Sequence, residues 1–170
     1  MFKIKKKEKG FTFLEVIIAL FVLVVGIVAA YLVSQTPIFY TQNSINRLTA
    51  AFLAQEGIEI VRNIRDTNWV NGRDWKGGLE MCASGGEYCY GDYNTTGLSP
   101  DSDPPYLQFG NFFSYDSGPD TKFKRKIVID LIEDSEEPSF LGVKSIVEWS
   151  HKGKSYEIAV EDKLYNWWNQ

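Results

Sequence analysis

One unbroken apolar block stands near the start of the chain, and shorter periodic patterns follow it. Residues 11–33 are apolar except for Thr12 and Glu15. At the rise of an α-helix, a segment of this length spans roughly 35 Å, enough to cross the roughly 30 Å hydrocarbon core of a bilayer. The block therefore predicts a transmembrane helix.

The helical pattern continues beyond this block in amphipathic form, through residues 34–66. Large apolar residues recur at steps of three, four and seven with Gly57 between them: Ile45, Leu48, Phe52, Leu53, Ile60 and Ile64. Such a row predicts a helix that buries one face and ends near residues 66–68. Pro37 lies inside this helix, where a proline removes a backbone hydrogen bond, so we expect a kink there.

The last third of the chain changes to a period of two. Residues 122–132, 141–149 and 155–164 alternate between apolar and polar side chains, which predicts strands with one apolar face. A tight turn at 151–154 and a looser acidic one at 133–138 connect them as an antiparallel meander.

These patterns together predict an α+β fold. An apolar helix face and an apolar sheet face in one small domain should pack on each other. We expect a long N-terminal helix, kinked near Pro37, packed on a C-terminal antiparallel sheet of three or more strands within residues 121–170.

Residues 67–120 are rich in Gly, Asn, Asp, Ser and Pro, which predicts loops. Within them, Cys82 and Cys89 flank Ser-Gly-Gly-Glu at 84–87, and we interpret this stretch as a small hairpin closed by a disulfide. Free thiols or a metal site are the alternatives. Six intervening residues do not suit a redox motif, and a zinc site would need more ligands than two cysteines and one histidine.

Charge is concentrated at the N-terminus. Residues 1–10 contain Glu8 and five lysines: Lys3, Lys5, Lys6, Lys7 and Lys9. Lysines beside a span stay in the cytoplasm, so the following domain should lie outside, where disulfides persist. The rest of the chain is more acidic than the net −4 of the whole, so nothing indicates a nucleic-acid partner.

Glu15 is unusual because an ionised carboxylate inside a span costs about 2.5–3.5 kcal/mol near the bilayer centre. Residues 11–33 contain no Lys, Arg or His that could compensate it. A cut before Phe11 would create an α-amino group one helical turn from Glu15.

Residues 9–15, Lys-Gly-Phe-Thr-Phe-Leu-Glu, together with the basic segment and the apolar helix, resemble the type IV prepilin signature. In that family, a peptidase cleaves after the glycine and N-methylates the new first residue. The resemblance implies that residues 1–10 are a leader cleaved between Gly10 and Phe11, and that Phe11 is methylated. It also implies that Glu15 neutralises a first-residue amine during filament assembly. A plain signal peptide is the alternative, with Gly26, Ala29 and Ala30 as a loose cleavage site.

The resemblance also implies a function and partners. It indicates a structural subunit of a type IV pilus or type II secretion-like filament, with other pilin subunits, prepilin peptidase, an inner-membrane assembly platform and membrane lipid as partners. The irregular middle and the Leu-Tyr-Asn-Trp tail at 164–167 resemble minor pilins and pseudopilins. The other hypothesis is a single-pass anchored binding module that does not polymerise.

The sequence gives little support for an enzymatic function or a metal site. His151, the single histidine, falls in a predicted surface turn, and no Ser/His/Asp or Cys/His set is plausible. We therefore expect no catalytic residue, metal or cofactor. Four aspartates lack the regular spacing of a calcium loop: Asp101, Asp103, Asp116 and Asp120. Asn94-Thr95-Thr96 matches a glycosylation acceptor pattern, to which we assign no function.

Overall fold

The structure, a computed structural model, describes residues 10–83, 88–132 and 139–168, without the side chains of residues 35–39. The elements are α1 (Phe13–Val70), α2 (Glu80–Ala83), β1 (Tyr88–Tyr90), β2 (Ser99–Asp101), β3 (Tyr106–Phe109), β4 (Phe113–Ser114), β5 (Asp120–Ile132), β6 (Phe140–His151) and β7 (Lys154–Tyr165). The chain divides into two compact units, Met1–Ser44 and Ile45–Gln170, which we describe separately.

Helix α1 contains 58 residues and belongs to both units, which confirms the long N-terminal helix. Its first part, Phe13–Ser34, is long and apolar enough to cross a membrane, by length and composition. The helix ends at Val70, two residues beyond the expected end. The kink at Pro37 stays a prediction, because Pro37 is one of the five residues whose side chains the structure does not describe.

The three long strands confirm the predicted meander. β5 pairs antiparallel with β6 along its length, and β6 pairs in the same way with β7. The tight turn between β6 and β7 has positive φ at both central residues, 50° at Lys152 and 74° at Gly153, as a type I′ hairpin turn requires. The acidic connection at 133–138 lies outside the described residues.

The other edge of β5 carries the short strands of the middle region. β1 pairs with β5 at Ile127 and with β2 on its far side, while β3 pairs with β5 and with β4. The region that the sequence predicts as loops therefore adds four short strands to the sheet. It has this form because β5, at 13 residues, is long enough to accept two short partners on one edge.

The core of the second unit lies between the C-terminal half of α1 and one face of the sheet. Helix residues Ala50, Leu53 and Ala54 pack with a cluster from the strands that includes Phe123 and Trp149. A second cluster joins the last turns of α1 to the middle of the sheet and the disulfide: Ile58, Ile60, Val61, Ile64, Trp69, Cys82, Cys89, Ile127, Ile129, Leu141 and Val143. The α+β arrangement predicted from the sequence is thus confirmed.

The buried face of α1 differs from the predicted one between residues 45 and 52, at the start of the second unit. Leu53, Gly57, Ile60 and Ile64 are buried as expected, but three large apolar residues are exposed: Ile45 (51%), Leu48 (59%) and Phe52 (62%). At 100° per residue these three lie on the side of the helix opposite Ala50, Ala54 and Gly57. The prediction was wrong there because small residues, not large ones, allow the helix to approach the sheet closely.

Gly57 shows how close that approach is. A Cβ at this position would clash with Ser145 Oγ and would lie 3.0 Å from Ser145 Cβ and 3.1 Å from Arg125 Cδ. We predict that Gly57→Ala destabilises the protein by about 1–3 kcal/mol, the usual cost of overpacking, although alanine is the better helix former. The measurement is urea unfolding of the full-length protein in detergent.

Ser145→Ala is the matched variant for this prediction. Ser145 Oγ is buried without a hydrogen-bond partner in the described part of the chain, so its removal alone should cost little. In combination with Gly57→Ala it should restore part of the lost stability. A double variant no more stable than Gly57→Ala alone would show that Ser145 is not the obstacle.

Cys82 and Cys89 form a disulfide, with a Cα–Cα distance of 6.0 Å. The expected hairpin around them is wrong. Cys82 lies in the short helix α2, and Cys89 lies in β1 between β2 and β5. Both sides of β1 already pair with other strands, so no edge is left for the chain around Cys82. Residues 84–87, the expected turn, lie outside the described residues.

The disulfide is buried, so its removal should change the stability of the whole second unit. Both cysteines are buried among core residues that include Leu79 and Ile127. We predict that replacing both by Ala lowers the free energy of unfolding by about 2–3 kcal/mol, mainly through the lost closure of a short loop. Replacement by Ser should cost more, because it buries two hydroxyls. A non-reducing peptide map with both thiols free would contradict the assignment.

Candidate functional site

The start of α1 is built around Thr12. The backbone N–H of Glu15 donates to Thr12 Oγ1 at 3.3 Å and to Thr12 O at 3.1 Å, and the N–H of Val16 donates to Thr12 O at 3.2 Å. Thr12 is therefore the N-cap, and Glu15 stands at the third helical position, the spacing of a capping box. This role of Thr12 was not predicted from the sequence, although Thr-x-x-Glu before an apolar run is its signal.

Gly10 and Phe11 precede the helix and are exposed, with 83% of Phe11 accessible. A Cβ at Gly10 would meet nothing within 4 Å, so packing inside the chain does not require glycine there. The junction is thus an accessible peptide bond just outside a capped helix. Any requirement for a small residue at Gly10 would come from a partner that binds this segment.

Phe11 and Glu15 line the same shallow cleft, which has a volume of about 330 Å³. The remaining walls are apolar side chains of the next turns: Val16, Ala19, Leu20 and Leu23. Ala19 follows Glu15 by four residues, so its small side chain leaves space beside the carboxylate. A carboxylate in the first turn also interacts favourably with the helix dipole.

Between residues 11 and 34, where the side chains are described, the helix beyond this cleft has no buried face. Every residue from 11 to 34 is exposed, although almost all of them are apolar. The hydroxyl of Ser34 donates to Ala30 O at 2.9 Å, so even this polar group is satisfied within the helix. Such a helix needs lipid or other helices around it.

Comparison with known families places a recognised motif on this segment. Residues 5–31 match the family model described as the prokaryotic N-terminal methylation motif. The chain carries the type IV prepilin signature. The resemblance in the sequence is thereby confirmed, while the match ends within the apolar helix and does not extend to the sheet. Comparisons with curated proteins and with solved structures found no match.

The prepilin signature brings Gly10, Phe11 and Glu15 together at one helix end, whereas Cys82 and Cys89 belong to the second unit. It fits a precursor anchored in the membrane by its N-terminal helix. Pilins are structural subunits, so the motif agrees with a non-enzymatic role.

The other chemistry-bearing residues do not converge. In the described part of the chain, no group of three or more His, Cys, Asp or Glu side chains could hold a metal ion. Asp101 accepts from the N–H of Asp103, and Asp120 accepts from Gln108, so these carboxylates serve local contacts. His151 ends β6, directly before the tight turn.

Proposed function

We propose that the chain is a structural subunit of a type IV pilus or type II secretion-like filament. The precursor is held in the membrane, cleaved after Gly10 and assembled through its N-terminal helix. The observation that carries this proposal is the prepilin signature on a fully exposed apolar helix whose single charge, Glu15, shares a cleft with Phe11.

The basic leader supports a defined topology. Five lysines before the helix keep the N-terminus in the cytoplasm, so residues 45–170 lie outside the membrane. Prepilin peptidase acts on the exposed junction, an inner-membrane platform extracts the processed subunit, and other pilin subunits replace lipid around its helix.

The exposed row of Ile45, Leu48 and Phe52 supports assembly over simple anchoring. These side chains lie on the side of α1 that does not face the sheet. Exposed apolar patches commonly mark interaction surfaces. A filament provides neighbouring helices for this row, whereas a monomeric anchored module would leave it in water.

Within the filament, we assign the chain to the accessory subunits, as a minor pilin or pseudopilin. The support is the irregular middle region, in which one helical turn and four strands of two to four residues replace a regular layer. The alternative function is a single-pass anchored binding module, and the behaviour of Glu15 variants separates the two.

We predict that the mature N-terminus is Phe11 and that it carries one N-methyl group. Mass spectrometry of membrane-extracted protein measures this directly. Gly10→Val should block cleavage, because a branched side chain at an otherwise open junction would obstruct the peptidase. Gly26→Ala is the matched control, since a Cβ there also meets nothing within 4 Å, and it should be processed normally. An intact Met1, or a cut beyond Ala30, would contradict the prediction.

A further inference from the structure

A cavity of about 730 Å³ opens on the sheet at the end nearest the turn between β6 and β7. Strand register places four of its residues in one row across four strands: Tyr106, Lys124, Glu148 and Glu157. Ser150 and Ser155, paired with each other, extend the lining beside that row. The volume lies within the range typical of small-molecule sites.

The ammonium groups at this cavity already have partners. Lys124 Nζ lies 2.6 Å from Asp103 Oδ1 and holds the pKa of that carboxyl below its ordinary value by donating a hydrogen bond to it. Lys122 Nζ donates to Asn46 Oδ1 at 2.6 Å. The lining therefore offers no uncompensated pair of cations for a phosphate or sulfate group.

The carboxylates retain capacity to accept hydrogen bonds. One oxygen of Glu148 binds Lys126 Nζ at 2.7 Å, which leaves its second oxygen. Glu157 lies directly opposite Glu148 and is exposed. Acceptor oxygens beside the hydroxyls of Ser150 and Ser155 suit a ligand that presents several hydroxyl groups of its own.

One aromatic ring supplies the apolar part of the lining on this face of the sheet. The exposed ring of Tyr106 lies under Lys124 Nζ at 4.7 Å. Trp149 and Tyr156 alternate with Glu148 and Glu157 along β6 and β7, so their rings lie on the opposite face, against the core. A sugar ring matches this combination, because its C–H face packs on an aromatic ring while its hydroxyls donate and accept hydrogen bonds.

We propose that this cavity binds a neutral saccharide. Tyr106 contacts the apolar face of a sugar ring, and Glu148, Glu157 and the two serines bind its hydroxyls. The proposal goes beyond filament assembly and uses none of the residues of the N-terminal segment.

Two neutral probes test it, maltotriose and N,N′,N″-triacetylchitotriose, which differ in whether the ring carries acetamido groups. The full-length protein is prepared in a detergent without a sugar headgroup, since a glycoside detergent would compete. Saturation-transfer NMR detects binding, and titration calorimetry gives the dissociation constant. We expect at least one probe to bind.

Glu157→Ala should weaken that binding about tenfold, the loss expected for one hydrogen bond to a charged group. Glu161→Ala is the matched control, because Glu161 is an exposed glutamate of the same strand that pairs with Lys144 outside the cavity, and its affinity should stay unchanged. Tyr106→Ala should also weaken binding.

Three results would overturn the proposal. The first is the absence of any binding signal with either saccharide at about 10 mM, a concentration far above the dissociation constant of a specific site. The second is an equal dissociation constant for the wild type and Glu157→Ala. The third is competition by inorganic phosphate, which would indicate an anion site. None of these results affects the filament proposal, which depends on Phe11 and Glu15.

Discussion

Glu15→Gln should reduce the amount of subunit recovered in filaments at least about tenfold while the precursor still enters the membrane. The precursor loses nothing by the change, because residues 11–33 contain no cation and a neutral side chain enters lipid more easily. The effect should therefore appear only after cleavage.

Assembly reverses this balance, because cleavage before Phe11 creates an α-amino group at the helix end. Phe11 and Glu15 line one cleft, so such a cation in a helix bundle has the Glu15 carboxylate of its own or a neighbouring chain within reach. A buried charge that loses its partner costs about 3–5 kcal/mol, which exceeds the 1.4 kcal/mol equivalent to a tenfold shift. Subunits that lack the carboxylate should return to the membrane pool.

The measurement is the ratio of sheared extracellular protein to membrane-retained protein, with cleavage checked separately by mass. Glu59→Gln is the control, because Glu59 is an exposed glutamate of the same helix in an ion pair with Arg62. Its ratio should match that of the wild type. Equal ratios for Glu15→Gln and the wild type would instead favour the hypothesis of an anchored binding module that does not polymerise.

The prepilin segment could be predicted from the sequence because its information is local. The leader, the Gly10–Phe11 junction, Glu15 and the apolar helix follow one another within 33 residues, and no distant contact is needed to place them. The long strands were predictable for a similar reason, since alternation over nine or more residues places every apolar side chain of the strand on the same face.

The helix face that contacts the sheet could not be predicted in this way. Two apolar rows share α1, one with Ala50, Ala54 and Gly57 and the other with Leu48 and Phe52. Hydrophobicity favours the second row, but close approach to Ser145 selects the first. That choice depends on the partner sheet, which the helix sequence alone does not describe.

The cavity on the sheet was missed because register brings its residues together from four strands. Tyr106 belongs to a region that the sequence predicts as loops, so nothing indicated that it would lie beside Lys124. In contrast, the alternation through β5 does indicate one buried charged residue. Arg125 occupies the same face as Phe123 and Ile127, which predicts an arginine that points into the core.

Arg125 is fully buried and connects three parts of the second unit. Its Nη1 donates to Glu56 Oε2 at 2.8 Å and to Leu53 O at 3.3 Å, both on α1, and its Nη2 donates to Gly91 O at 2.9 Å. The guanidinium thus satisfies two buried carbonyls and one carboxylate. It also ties the helix to the segment that follows β1.

Arg125→Ala should lower the free energy of unfolding by about 3–5 kcal/mol. The change leaves a cavity, removes the donors of two buried carbonyls and deprives Glu56 of its partner, each a recognised source of large losses. Arg125→Met keeps most of the volume, so it should cost less. Glu56→Gln should cost least, about 1–2 kcal/mol, because Glu56 is partly exposed and the amide oxygen still accepts from Arg125.

Urea unfolding of the full-length protein in detergent, followed by tryptophan fluorescence, measures this order. Arg62→Ala is the control, since Arg62 also binds two carboxylates, Glu59 and Asp162, but at a site open to solvent. Exposed ion pairs contribute about 0–1 kcal/mol, so that variant should remain close to the wild type. If Arg125→Ala cost no more than Arg62→Ala, the contacts of Arg125 would not hold the helix on the sheet. Packing at Ala50, Ala54 and Gly57 would then have to account for that attachment.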